Sequence, residues 1–71
     1  MISEREVFRF VRKWRKNTLE EVADYLGVSV AQVSLMERGR VEIMGNNRTK
    51  LLEFFRMDVE RLNALRVIIF N

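Results

Sequence analysis

The sequence predicts an all-α domain of five helices. Three observations carry this expectation. Proline is absent and glycine occurs only three times, so little in the chain interrupts a helix. Apolar residues recur at i, i+3, i+4 and i+7, the spacing that collects side chains on one helical face. Thr18 with Glu21, and Ser29 with Gln32, both fit the Ser/Thr-x-x-Glu/Gln capping box, eleven residues apart and on either side of Gly27. Together they frame residues 18–39, TLEEVADYLGVSVAQVSLMERG, as two short helices joined by a tight turn.

Taken in order, Ser3 and Glu6 form a further box, opening a first helix expected to run to about Lys16. Val7, Phe10, Val11 and Trp14 make its apolar face, with Trp14 as a core anchor. Phe8 lies off that stripe and is expected to pack against a later helix. Arg5, Arg9, Lys13 and Lys16 occupy much of the opposite face. The second helix, about Leu19 to Leu26, buries Val22, Ala23 and Leu26. Ala23 is the small residue needed where two backbones approach, and Gly27 tolerates the positive φ of the corner. The third helix, about Val30 to Arg38, turns Val33 and Met36 inward, with Val28 beside them. Gly39 stands where helices commonly end. Arg40 to Asn47 reads as a loop, with Gly45-Asn46-Asn47 as turn chemistry. A fourth helix, about Arg48 to Arg56, buries some combination of Leu51, Leu52, Phe54 and Phe55. Asp58 caps a fifth, residues 59–70, on which Val59, Leu62, Leu65 and Ile69 form a core stripe. Val67, Ile68 and Phe70 exceed one face and are expected at a dimer interface. The β-branched tail 67–70 also fits a short strand, and the sequence leaves that choice open.

Seventy-one residues allow one domain, spanning 1–71, whose small core makes dimerisation or a bound partner a reasonable expectation. The chain has no Cys and no His, which removes thiol nucleophiles, disulfides, the common zinc sites and the usual neutral-pH acid or base. No Ser–base arrangement, metal-ligand cluster or glycine-rich phosphate loop is present. The expectation is therefore no enzyme, no catalytic residues, no metal and no cofactor. No apolar run approaches a membrane span, and MISEREVFRF does not resemble a signal peptide, which fits a cytoplasmic protein with no membrane partner. The net charge of +3 is unevenly spread. Residues 1–16 carry +4, residues 17–37 carry −4 with no Lys or Arg, residues 38–50 carry +3, and the rest balance. Basic flanks suit a phosphate backbone, whereas the acidic middle does not.

Val22-Ala23, Leu26-Gly27-Val28-Ser29 and Glu37-Arg38-Gly39 resemble the helix-turn-helix of the phage Cro/repressor-like (Xre) family over about a third of the chain. The resemblance implies a five-helix fold with the helix-turn-helix at 19–38. It implies a small transcriptional regulator on double-stranded operator DNA, with a homodimer built through the C-terminal helix and a place in a phage-type genetic switch. It also implies a structural ion pair between Arg12 and Glu37. Thr18 and the N–H groups at the start of the second helix would meet a phosphate, although Leu19 stands where many members carry a Gln. Arg38, Arg40 and Arg48, with Asn46 or Asn47, would position the sugar–phosphate backbone. Ser29, Val30, Ala31, Gln32, Ser34 and Leu35 would face the major groove.

That outward set is unusual, because base edges are read mainly by charged or amide side chains. Only Gln32 offers a bidentate contact to adenine, and the capping box competes for it. Val30, Ala31 and Leu35 suit thymine methyl groups. They equally suit another protein, such as a repressor bound by an anti-repressor-like modulator, unless some of them tuck into the fold.

Overall fold

The apolar stripes meet in one core, drawn from α1 (Glu4–Trp14), α2 (Leu19–Leu26), α3 (Val30–Glu37), α4 (Gly45–Phe54) and α5 (Val59–Phe70). The computed structural model describes residues 3–70, with side chains through residue 68. Val7, Phe8 and Val11 of α1 are buried with Val22, Ala23 and Leu26 of α2, and with Val33 and Met36 of α3. Leu51 and Phe55, from α4 and its C-terminal end, and Leu62 of α5 complete the cluster. Each large side chain of this kind contributes about 2 kcal/mol by leaving water. Among the described residues there is no strand, and α5 continues as helix through Phe70. The tail is therefore helical rather than a short strand.

The first helix buries Val7 and Val11 of the expected face. Phe8 packs against a later element as expected, stacked on Phe55 with ring centroids 6.2 Å apart. The rest of the expected face does not follow. Phe10 is 43% exposed and Trp14 72% exposed. Both Phe8 and Phe10 flank the Val7/Val11 line, so period alone admits either side. The packing of α1 against α3 and α5 places the Phe8 side inward, and Trp14 is not a core anchor. On α5 the stripe is also shorter than expected. Leu62 is buried and Leu65 half-buried, but Val59 is exposed, and the Ile69 side chain lies outside the described residues.

Helix ends explain the remaining shifts of boundary. The first four helices are each followed by a left-handed residue, Lys16 (φ 60°), Gly27 (φ 74°), Gly39 (φ 76°) and Arg56 (φ 54°). The next residue returns its N–H to the last turn: Asn17 to Arg12 O at 2.9 Å, Val28 to Ala23 O at 3.1 Å, Arg40 to Leu35 O at 2.9 Å and Met57 to Leu52 O at 2.8 Å. This closure satisfies carbonyls that would otherwise be orphaned. It stops α1 at Trp14, not Lys16, and α4 at Phe54, not Arg56. At the other end of α4, Gly45, Asn46 and Asn47 form the first helical turn instead of a loop. Arg48 in that turn is pinned to α1 by Glu4, at 2.8 Å for both Nε–Oε1 and Nη2–Oε2.

One of the other start signals fails and one holds. Ser3 makes no side-chain cap bond; the Glu6 N–H goes to the Ser3 carbonyl at 3.2 Å and the Ser3 hydroxyl is buried without a partner. Asp58 does cap, its Oδ1 accepting the Arg61 N–H at 2.8 Å.

Candidate nucleic-acid interface

The two helices of the corner are held in different ways. At the start of α2, Thr18 Oγ1 accepts the Glu21 N–H at 3.0 Å, and the Thr18 N–H donates to Glu21 Oε1 at 2.7 Å. The reciprocal box is complete. The Thr18 N–H, with Asn17 assisting, holds the Glu21 carboxyl below the usual carboxylate range. The start of α2 is thus already occupied by an anion of the chain itself, and a phosphate there would meet both Glu21 and Glu20. Leu19 is half-buried against the core and so does not replace the missing polar contact.

At the start of α3 only half of the box is made. Ser29 Oγ accepts the Gln32 N–H at 3.0 Å, and no bond runs from the Gln32 side chain back to the Ser29 N–H. The Gln32 amide is therefore not engaged in the box, contrary to the competition expected from the sequence, and its side chain is half-buried. Val30, at 40% exposure, and Ala31 face solvent beside it. Leu35 and Ser34 are half-buried, so Leu35 is not the open apolar position that its spacing implies. It sits where α3 turns toward Gly39, and its carbonyl closes that turn.

The end of α3 is fastened to α1. Arg12 reaches Glu37 through Nε–Oε2 at 2.5 Å and Nη2–Oε1 at 2.9 Å, and its Nη1 donates to Asn17 O at 3.0 Å. The two side chains are only 12% and 11% exposed. Arg5 adds a bond from Nη1 to the Glu37 carbonyl at 3.2 Å and lies over Gly39, where an added Cβ would come within 2.6 Å of its Nε. Arg15 does the same for the neighbouring helix, donating to Phe55 O at 2.8 Å. Three arginines of the basic N-terminal segment thus serve carbonyls and a carboxylate inside the domain. That use of Arg5 and Arg15 is invisible in sequence, because nothing local marks which cations fold inward.

The loop cations divide likewise. Arg48 is paired with Glu4, which raises the guanidinium's pKa and lowers that of the carboxylate through their hydrogen bonds. It is not an open phosphate contact as expected. Arg38 and Arg40 are exposed; Arg38 Nε touches Ser34 O at 3.4 Å, and neither pairs with a carboxylate among the described residues. Asn46 is exposed and Asn47 half-buried in the first turn of α4. Val67 and Ile68 are exposed on α5, whereas the Phe70 side chain lies outside the described residues.

This geometry is a helix-turn-helix in which a packed first helix presents a second helix with an open start. A helix-turn-helix family model, of the Cro/C1 or Xre-like type, matches residues 8–62. The chain belongs to this family. Its members are DNA-binding transcription regulators, and the all-α fold agrees with it. No curated protein and no solved structure matches the chain. The matched span begins inside α1 and ends inside α5, so all five helices contribute to it. No helix among the described residues is long and apolar enough to cross a membrane.

Proposed function

We propose that this domain regulates transcription by placing the start of α3 in the major groove of double-stranded operator DNA, as a homodimer on a two-fold site. The observation that supports this reading best is the half-open start of α3, with Arg38 and Arg40, unpaired with any carboxylate among the described residues, exposed beyond its other end. The arginines position the backbone, and Ser29, Val30, Ala31 and Gln32 meet base edges. The dimer uses the exposed Val67 and Ile68 of α5; Ile68→Asp should then yield monomers in sedimentation and weaken operator binding. Phage-type switching is one setting for such a regulator. The decisive test is a salt titration of affinity for a selected duplex. Arg40→Ala should weaken binding and reduce the slope of log K against log salt by about one. An unchanged slope would remove Arg40 from the interface, and failure to exceed random competitor DNA would sink the reading.

A second reading has its own support in the closed, acidic α2. Glu20, Glu21 and Asp24 are exposed around the corner and repel phosphate. On this reading the apolar Val30 and Ala31 dock on another protein, such as a repressor, and Ala31→Glu abolishes that complex because an unpaired carboxylate would be buried. A chain that binds no duplex specifically but co-purifies stoichiometrically with a repressor, and loses it on Ala31→Glu, would decide for this alternative.

A further inference from the structure

Resting on the DNA-binding reading, we infer that α3 selects adenine–thymine pairs, Gln32 reading an adenine while Val30 and Ala31 lie against neighbouring thymine methyl groups. The inference comes from what the fold leaves available in the groove. Adenine presents N7 as acceptor and its N6 amine as donor, and an amide side chain meets both at once. Gln32 is the one amide on α3; it is half-buried, and the half-made capping box leaves its amide without a bond to Ser29.

The side chains that read the other pair are missing or taken. Guanine is read chiefly by Arg or Lys, through its two major-groove acceptors. Residues 29–37 contain neither. The nearest cation, Arg38, lies at the far end of the helix with Nε against Ser34 O. Cytosine offers an amine that a carboxylate accepts. The carboxylate of α3 is Glu37, and both of its oxygens are engaged by Arg12 behind the helix. What remains at the open end is apolar: Val30 at 40% exposure and Ala31 also exposed. Small apolar side chains complement the thymine C5-methyl, a group absent from the other pair.

The test is selection of duplexes from a random library with the intact chain, followed by two substitutions. The enriched half-site should centre on adjacent A·T pairs. Replacing its thymines by uracil removes only the methyl groups and should weaken binding several-fold. Gln32→Ala, whose folding is checked by an unchanged Tm, should lose roughly tenfold in preference for the selected adenine over guanine. Enrichment of G·C at the centre of the half-site, or indifference to both substitutions, would overturn the inference while leaving DNA binding intact. No enrichment over the input library would overturn the DNA-binding reading, and this inference with it.

Discussion

Helices α2 and α3 have the same length and start with the same kind of signal, yet they are held at opposite ends. The first is closed at its start by a complete capping box, with Glu21 folded onto Thr18. Its end is free: Gly27 turns the chain in open space, with nothing near an added Cβ. The second is half-open at its start and clamped at its end, where Arg12 and Arg5 from α1 grip Glu37 and cover Gly39. A helix fastened at its far end can present a fixed, unobstructed N-terminal turn to a ligand. The placement of charge therefore matters more here than its sum, since the segment with the most cations spends three of its arginines inside the fold.

Breaking the clamp should have the largest effect. Glu37→Ala strands the Arg12 guanidinium in a nearly buried position and should cost about 3 kcal/mol in urea denaturation. Arg12→Met combined with Glu37→Met removes both charges and should cost clearly less than Glu37→Ala alone. If the double variant is the worse of the two, the pair is a net stabiliser rather than a positional tie.

The two glycines sharpen the contrast at a smaller scale. Gly27→Ala meets only the penalty of a left-handed non-glycine residue, about 1 kcal/mol. Gly39→Ala meets the same penalty and also displaces Arg5 from the Glu37 carbonyl, for a total of about 2 kcal/mol. In an Arg5→Ala background the two alanine substitutions should become equal. Equal effects in the unaltered chain would show that Arg5 gives way without loss.

The caps give the smallest difference, and pH exposes it. Thr18→Ala and Ser29→Ala should each lower stability by about 1 kcal/mol near neutral pH. Glu21 titrates below its ordinary value in the folded chain, so its contribution is complete above the usual glutamate pKa of about 4.3 and is lost as pH falls through the depressed value. Thermal melts in that acid window should show the deficit of Glu21→Gln shrinking, because the Thr18 N–H that holds the carboxylate is a backbone group, while the Ser29→Ala deficit, which involves no titrating group, stays constant. Parallel behaviour of the two variants would mean that the α2 box does not depend on its carboxylate. Glu4, lowered by Arg48, loses its contribution over the same range in both variants and so cancels from the comparison.

What the sequence by itself determines here is local. The limits of α2, the corner at Gly27 and the inward Val22, Ala23, Leu26, Val33 and Met36 are legible because capping, left-handed geometry and helical period act within a few residues. The five-helix class follows from the same short-range signals. Tertiary structure decides wherever two local solutions are nearly equal in energy. Phe8 and Phe10 flank one stripe equally, and only the presence of Phe55 on a later helix places Phe8 inside. Arg48 can face DNA or Glu4, and a neighbour 44 residues away along the chain settles it. An arginine's long side chain reaches across elements that the sequence places dozens of residues away. Whether its charge is spent within the fold or shown to a partner is therefore a property of the packed molecule, not of the segment that carries it.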